Sequence, residues 1–378
     1  MFHRHVRHGG RLKKNLVDAL EEALKEPLSI SEVKKFIERD DYGGGLLEAA
    51  RRAAEARVPR VLRAYYPSSL FPPISVTGAR CELNCAHCNR RYLRHMISAE
   101  TPEKLYEVCV SLYERGAVGC LISGGSTREG YVPLEPFVDA IRLVKRETDL
   151  ILNVHTGLVG RELARRLAEA GVDVASLDVA GDTDTVRTIY GLNREAEDYF
   201  EALRVHVEAG IKHVVPHICI GLHYGELKGE FMALEAVRRI KPETLVFIVL
   251  TPTRGTRMEG APPPDPLTVA KVIAAARLML KDTMIILGCM RPAGMVREKI
   301  DLLALNMVDG IVLPAQKTIK EAERRGFMIK RLSACCAIPR DYEPLVEAKQ
   351  KAQNWTNRTL SHFKSSPSHT TSKRPPLG

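Results

Sequence analysis

The sequence has no hydrophobic run long enough to span a membrane, and its first eight residues have no apolar core of the kind that a secretory signal needs. These absences predict a cytoplasmic protein with no membrane association. There is a single tryptophan, Trp355, and it lies in a C-terminal stretch that is rich in Ser, Thr, Lys and Pro and has no apolar period. Residues 341–378 are therefore predicted to be a disordered tail.

The sequence also lacks the motifs of a nucleic-acid-binding protein, despite a formal charge of +10. It has no zinc-finger spacing and no aromatic-basic RNA motif, and much of the positive excess lies at the two ends of the chain. We therefore expect no nucleic acid partner and interpret the charge as solvated helix faces. A basic surface that docks an acidic partner remains an alternative.

Three of the nine cysteines, Cys81, Cys85 and Cys88, lie within eight residues, soon after an apolar, β-branched run at 74–77. The odd total, in a chain expected to be cytoplasmic, favours thiols and metal ligands over a disulfide framework. Thiolates this close can bind one soft metal centre, but they are one fewer than the four that close an iron–sulfur or zinc site. The pattern predicts a metal centre with one open coordination position, where a small molecule can bind.

From residue 74 the chain alternates apolar strands with amphipathic helices. Strands are predicted at 74–78, 118–122, 150–154, 174–178, 213–219, 244–250, 284–288 and 309–313. Helices are predicted at 101–115, 134–146, 159–170, 194–209, 229–240, 267–280, 294–304 and 317–326. This repetition predicts an α/β fold, a (β/α)8 TIM-type barrel, and the alternative is a doubly wound open sheet.

The predicted domain organisation has three parts. Residues 1–72 form an N-terminal helical extension and connector, with helices at 12–26 and 31–57, the second interrupted by the glycines at 43–45. Ser29 or Ser31 can cap the second helix, and the extension is expected to plug the barrel or brace its side. Residues 73–340 form the barrel with a C-terminal cysteine segment, and residues 341–378 form the tail.

Chemistry in a barrel gathers where the strands end, so the residues at those ends are the candidate site. The cysteine loop follows the first strand, and Ser123, Gly124 and Gly125 end the second, where a glycine pair lets backbone groups approach a polar ligand. Asp178 ends the fourth strand, where it suits ribose hydroxyls or caps the next helix. Gly221 follows the fifth strand.

Together these residues resemble the radical S-adenosylmethionine (radical SAM) superfamily. The resemblance rests on the Cys-x3-Cys-x2-Cys spacing after a first barrel strand, with His87 in the aromatic-type position before the third cysteine. It implies that Cys81, Cys85 and Cys88 hold a [4Fe-4S] cluster and that S-adenosylmethionine is the fourth ligand. It further implies that the residues at 123–125 resemble the GGE motif, with Ser126 in the place of its acidic residue, and that His87, Asp178 and Gly221 belong to the cofactor site.

The full eight-unit barrel is most similar to biotin synthase, and among its homologues to the archaeal group that includes one chain of the two-component lipoyl synthase. Biotin synthase carries a second, sulfur-donating cluster, but the ligand pattern here matches only in part. A second iron–sulfur site is expected from Cys120, Cys289, Cys335 and Cys336. The alternative is that these cysteines are ordinary thiols that bind no metal. Cys109 is expected to be a buried small hydrophobe.

The resemblance implies cleavage of S-adenosylmethionine to a 5′-deoxyadenosyl radical and hydrogen abstraction from an aliphatic carbon, with sulfur insertion on a protein-bound octanoyl chain as the specific hypothesis. Its implied partners are a one-electron reductant such as ferredoxin, an acidic carrier-protein domain and a second radical SAM chain. Amino-acid fragmentation or rearrangement is a second enzymatic alternative. A zinc or electron-transfer site, with His87 or Cys120 as the fourth ligand, is the non-enzymatic alternative.

Overall fold

The computed structural model describes residues 26–39, 44–56, 60–67 and 69–353. Trp355 lies outside this part of the chain, as does all but the last residue of the helix predicted at 12–26. Each of the eight predicted barrel strands is present, along with three strands that the sequence did not predict. The strands are β1 (Val61–Tyr65), β2 (Pro73–Ser75), β3 (Ile97–Ser98), β4 (Gly119–Ser123), β5 (Ile151–His155), β6 (Val174–Asp178), β7 (His213–Ile220), β8 (Thr244–Val249), β9 (Met284–Leu287), β10 (Gly310–Val312) and β11 (Met328–Leu332).

A helix follows nearly every strand, as the alternation predicts. The longer helices are α1 (Ile30–Arg39), α2 (Gly44–Glu55), α3 (Pro102–Glu114), α4 (Val138–Glu147), α5 (Arg161–Glu169), α6 (Ala196–Glu208), α7 (Glu230–Ile240), α8 (Pro266–Met279), α9 (Gly294–Ala304), α10 (Gln316–Arg324) and α11 (343–353). Shorter turns include Thr183–Thr185, which continues as a π-helix at Val186–Tyr190. No helix in the described ranges is both long and apolar enough to cross a bilayer.

All eleven strands are parallel and form one sheet, in the order β11-β1-β10-β9-β8-β7-β6-β5-β4-β2-β3. From β4 to β10 each strand lies beside its predecessor in the chain, with β2 on the other side of β4, so this run of eight strands has no point at which the order reverses. A doubly wound sheet needs such a reversal. The sheet curls around a shared interior core to which β1, β4 and β9 all contribute residues, which confirms the TIM-type α/β barrel fold.

The N-terminal helices brace the side of the barrel. At the start of α1, the Ser29 hydroxyl accepts a hydrogen bond from the Glu32 amide at 3.4 Å and the Glu32 carboxylate accepts one from the Ser29 amide at 2.8 Å, which is a capping box. The Leu28 amide donates to the Leu278 carbonyl at 3.1 Å, and α2 packs against α8. The strand β1 follows these helices directly and enters the sheet between β10 and β11.

The lower end of the barrel is filled by the C-terminal segment. Ala334, Cys336, Ile338 and Val346 pack in the interior core, among the first inward-facing residues of the strands. Disorder from residue 341 is therefore a wrong prediction for residues 341–353, which form the end of a short 3-10 turn and the helix α11. The physical reason is tertiary: Glu343, whose side chain is 5% exposed, accepts ion pairs from β1 and β11 that no local pattern reveals.

Candidate functional site

The cysteine loop lies where β2 ends and is fixed by hydrogen bonds to the end of β4 and to the π-helix that follows β6. The Glu82 amide donates to the Ser126 carbonyl at 2.9 Å, and the Ser126 amide donates to the Cys81 sulfur at 3.3 Å. On the other side, the Ala86 amide donates to the Ile189 carbonyl at 2.7 Å. The loop is thus held between the end of β4 and the π-helix that follows β6, and its conformation depends on both.

A cavity of about 290 Å³ opens above the barrel interior, beside this loop. It contains eight of the nine residues predicted for the cluster and cofactor site. They are Cys81, Cys85, Cys88, His87, Ser123, Gly124, Gly125 and Asp178. The same cavity is lined by side chains that the sequence did not single out, namely Arg90, Tyr92, Tyr190 and Tyr199.

The two glycines after β4 have different roles. A Cβ atom built on Gly125 would lie 1.9 Å from the Arg80 carbonyl oxygen and 2.6 Å from the Cys81 Cα, whereas one built on Gly124 would lie 3.1 Å from the Thr77 hydroxyl oxygen. Gly125 is therefore required because the backbone of the cysteine loop packs directly on it. Its amide donates to the Thr77 hydroxyl at 2.7 Å. The glycine pair was predicted to admit a ligand, and at Gly125 it admits the protein's own cysteine loop.

Cys85 and Cys88 interact electrostatically. A hydrogen bond between the two side chains raises the pKa of Cys85 and lowers the pKa of Cys88 to about 7. Burial adds to the rise at Cys85, whose sulfur lies 3.7 Å from the Tyr190 carbonyl oxygen. At neutral pH a substantial fraction of Cys88 is thus a thiolate, which is the form that binds metal.

His87 is buried beside the cysteines against two tyrosines. Its ring lies edge-on to Tyr190, with 5.5 Å between ring centroids, and Tyr190 stacks on Tyr199 at 6.1 Å. Burial lowers the pKa of His87, so the imidazole is neutral, and its Nδ1 atom has no hydrogen-bond partner within the described ranges. An orphaned, buried polar atom on the wall of a cavity suits a bound ligand with a complementary polar group.

Polar groups form the floor of the cavity. Asp178 Oδ1 lies 3.9 Å from His155 Nε2, and the His155 and His217 rings meet edge-on at 6.4 Å. Burial raises the pKa of Asp178, but His155, His217 and His87 outweigh it and hold that pKa below its usual range. Burial lowers the pKa of His155, yet Asp178 more than compensates and raises it, while burial lowers the pKa of His217 to about 4. The floor therefore presents a carboxylate beside an imidazole of raised pKa, with a second imidazole of lowered pKa, His217, against it.

The polar floor continues one layer deeper into the barrel. Asn153 and Ser176 are 1% and 2% exposed, and the Ser176 hydroxyl donates to Asn153 Oδ1 at 2.8 Å. Asn153 Nδ2 lies 3.6 Å from the sulfur of Cys335, which the C-terminal segment brings into the interior. The interior beneath the cavity is polar, whereas the hydrophobic pattern of the strands predicts an apolar lining.

These residues fit an iron–sulfur cluster with one open iron. Three thiols border one cavity, one fewer than the four ligands that close a structural zinc site. A cluster of several iron atoms spans a larger volume than one ion. The tight seat of the loop on Gly125 and the unpartnered His87 nitrogen are consistent with a prebuilt site for the cluster and its small-molecule ligand.

Gly221 is the predicted site residue that does not line this cavity. Its amide donates to Glu230 Oε1 at 2.8 Å, and its φ of +74° is one that glycine adopts readily. The next residue, Leu222, belongs to the same apolar cluster as Ala86 of the cysteine loop. Gly221 therefore lies outside the cavity lining, next to a cluster that includes the loop.

Cys120 is not part of a second metal site with the other predicted cysteines. Its sulfur lies 4.0 Å from that of Cys109, and both side chains are fully buried between β4 and the helices outside the barrel. The prediction for Cys120 is therefore wrong, because alternation along β4 points its side chain outward. Cys109 is confirmed as a buried small hydrophobe.

Cys335 and Cys336 are adjacent in the interior core, and the exposed Cys289 follows the end of β9. Burial and then Cys335 raise the pKa of Cys289, whereas a hydrogen bond with Cys335, together with burial, raises the pKa of Cys336. A hydrogen bond from Cys336 lowers the pKa of Cys335 to about 7. The Tyr65 hydroxyl group, fully buried in the same core, has no hydrogen-bond partner among the residues the structure covers.

Sequence reasoning missed Tyr190, Tyr199 and the role of His155. Tyr190 lies on the π-helix and Tyr199 on α6, so both reach the cavity from regions away from a strand end. No local motif marks them. His155 ends β5, and this position at a strand end was the one sequence signal for its role in the site.

Comparison with known proteins agrees with this geometry. The family model of the radical SAM superfamily matches residues 75–234. Biotin synthase from Geotalea daltonii is 26% identical over 220 residues, which cover 55% of this chain and 64% of that enzyme. Biotin synthase from Syntrophotalea carbinolica is 26% identical over 277 residues, which cover 67% of this chain and 82% of that enzyme. In the first case the match thus spans less than two thirds of the relative's length.

Solved structures show the same fold. Methylornithine synthase superposes with a TM-score of 0.58 at 17% identity, over 82% of this chain and 97% of that one. HydG, a maturase of the [FeFe]-hydrogenase, superposes with a TM-score of 0.60 at 17% identity, over 79% of this chain and 68% of that one. At such identities the likeness concerns the fold.

Proposed function

We propose that this chain, a member of the radical SAM superfamily similar to biotin synthase, abstracts hydrogen from an aliphatic carbon and inserts sulfur there. When bound, a [4Fe-4S] cluster supplies the electron that cleaves S-adenosylmethionine to methionine and a 5′-deoxyadenosyl radical. Cys81, Cys85 and Cys88 would hold that cluster. The observation that carries the sulfur-insertion step is the presence of Cys335 and Cys336 in the interior core below the cavity, with Cys289 at the end of β9 as a third thiol.

The protein's own residues would bind and orient the cofactor. Asp178, ionised beside His155, suits the ribose hydroxyls, and the buried His87 offers a neutral nitrogen and an aromatic face. The tyrosines at 190 and 199 would exclude water from the same space, which protects a reactive carbon-centred species. No acid-base pair is required for hydrogen abstraction.

A second iron–sulfur cluster in the interior is the proposed source of sulfur. Cys335 and Cys289 would be its thiolate ligands, with Cys336 as a third, and Asn153 borders the same space. The unpartnered Tyr65 hydroxyl supports a bound group there, because a buried hydroxyl without a partner is costly. An octanoyl chain on an acidic carrier domain would be the substrate of the lipoyl type, with ferredoxin as reductant and a second radical SAM chain sharing the work.

The polar floor favours a second candidate function, fragmentation or rearrangement of an amino acid. Asn153, Ser176, His155 and His217 would satisfy charged amino and carboxylate groups better than they would an alkyl chain. In that case the interior thiols would be structural. The two candidates differ in whether the product contains new sulfur.

The first test is whether anaerobically reconstituted, reduced protein forms 5′-deoxyadenosine from S-adenosylmethionine, with Cys85→Ala as the inactive control. Absence of 5′-deoxyadenosine in the unaltered protein would refute the radical reaction.

The second test counts iron and sulfide in the reconstituted protein and in Cys289→Ser and Cys335→Ser. We expect the unaltered protein to contain more iron than one [4Fe-4S] cluster holds, and each of the two variants to lose that excess. Cys120→Ser, on the outer face of the sheet, should lose no iron. A single cluster that both replacements leave intact would exclude the interior sulfur source and favour the amino-acid reaction. Incubation with an octanoylated carrier, with and without a partner chain, then tests the substrate.

A further inference from the structure

A second cavity, of about 220 Å³, lies at the end of the barrel opposite the cysteine loop. Its walls include residues that directly precede β1, β10 and β11, together with the end of α2 and the C-terminal segment. Residues before parallel barrel strands lie at the N-terminal face. The proposed reaction does not use this cavity. Its charged lining consists of Arg60, Arg63, Arg277, Arg340, Glu55 and Asp309.

Two of the four arginines are neutralised by carboxylates. Arg277, which is 1% exposed, pairs with Asp309 and also donates to the Met307 carbonyl at 2.9 Å. Arg63 pairs with Glu343, which lies just outside the cavity. Both arginines therefore have structural roles.

The other two arginines are less closely matched by carboxylates. In the described part of the lining the remaining acid is Glu55; its Oε1 lies 2.7 Å from Arg51 on the same helix and 4.0 Å from Arg60. Arg340 is exposed; its backbone amide donates to Glu243 Oε1 at 3.3 Å, and its side chain forms no ion pair with a residue that the structure describes. Arg60 thus shares one carboxylate with Arg51, and the Arg340 guanidinium group has no carboxylate partner among the described residues.

Arg60 is held in a fixed orientation. Its guanidinium group lies 4.3 Å above the centroid of the Phe327 ring. The Arg60 Nη1 atom donates to the Arg325 carbonyl at 3.3 Å, and Nη2 donates to Asn306 Oδ1 at 3.4 Å. A preoriented guanidinium group loses little entropy when it binds an anion.

We propose that this cavity binds a small oxyanion, a phosphate-type or carboxylate group, between Arg60 and Arg340. The forked donors of guanidinium groups match the oxygen geometry of both groups. The site is separate from the radical SAM site and does not depend on the function proposed there.

The test is isothermal titration of the full-length protein with inorganic phosphate and, separately, with acetate, at constant ionic strength in chloride. We expect saturable binding of at least one of the two anions. The anion that binds more tightly identifies the ligand as a phosphate-type or a carboxylate group. Because each charge-assisted contact contributes, Arg60→Gln and Arg340→Gln should each weaken binding by about tenfold or more. Arg239→Gln, on the exposed surface of α7 with 75% of its side chain accessible, is the matched control and should bind unchanged.

Circular dichroism of each variant separates loss of the site from loss of the fold. Arg340 is exposed, so its replacement leaves the packing intact and keeps the test decisive if Arg60→Gln unfolds. No saturable heat with either anion, or equal affinity in Arg340→Gln and the unaltered protein, would overturn the proposal.

Discussion

Replacement of Gly125 by alanine should displace the cysteine loop without unfolding the barrel. The new Cβ atom would start 1.9 Å from the Arg80 carbonyl oxygen, and contacts below 3.0 Å are essentially never seen, so the two backbones must separate by about 1 Å. Overpacking of this kind costs about 1–3 kcal/mol. A misplacement of about 1 Å in a reacting geometry can reduce a rate by about 100-fold. We therefore expect Gly125→Ala to lose most of its 5′-deoxyadenosine formation.

The assay compares Gly125→Ala with Gly124→Ala. A Cβ atom at Gly124 meets its nearest atom, the Thr77 hydroxyl oxygen, at 3.1 Å, so that a shift of a few tenths of an ångström relieves the contact. Iron content, 5′-deoxyadenosine formation and the unfolding midpoint are measured for both variants. Equal iron content and equal activity in the two variants would refute the assignment of Gly125 as the seat of the cysteine loop. Unfolding of Gly125→Ala at ordinary temperature would show that the cost extends beyond the loop.

Further predictions concern stability and the proposed second cluster. Asp301→Ala should cost about 3–5 kcal/mol in urea unfolding, because it leaves the fully buried Arg291 unpaired, and replacement of both residues by apolar ones should recover much of that loss. His206 is buried and neutral with a pKa lowered to about 4, so the folded state binds fewer protons than the unfolded state, whose histidine has the usual value of 6.5. Its contribution is complete above pH 6.5 and falls by about 3 kcal/mol as the pH decreases toward 4, and His206→Gln should flatten the unfolding midpoint over that range. Cys120→Ala should leave iron and sulfide content unchanged. A loss of iron would indicate that Cys120 is a ligand of the metal site.

The periodicity of the sequence predicted the barrel because each strand–helix unit carries its own local signal. The strand β2 and the strands from β4 to β10 are mostly buried and form apolar runs, and the helices between them are amphipathic. The three missed strands are different in kind. The strand β3 has two exposed residues at one edge of the sheet, and β11 lies at the other edge with partly exposed residues. The strand β1 pairs with β10 and β11, which lie far along the chain, so its pairing depends on tertiary contacts.

The cysteine loop was predictable for a similar reason, since its spacing is local. What surrounds it was only partly predictable. Asp178 could be placed at a strand end, whereas Tyr190 and Tyr199 reach the cavity through a π-helix and a later helix. The error at Cys120 arose because strand position was inferred without asking which face of the sheet the residue takes. Successive side chains of β4 point alternately into the barrel interior and toward the helices outside it, so an error of one residue reverses the assignment.

The C-terminal segment connects these points, because it explains both the extra strands and the chemistry beneath the cavity. Adding β1 and β11 beyond β10 brings the chain back to the lower end of the barrel, from which the residues after β11 enter the interior. That path places Cys335 3.6 Å from Asn153, two residues before His155 on the same face of β5. The segment that fills the barrel therefore also sets the lower boundary of the substrate space. Differences in substrate among proteins with this fold should accordingly map to residues 333–346 at least as much as to the strand ends.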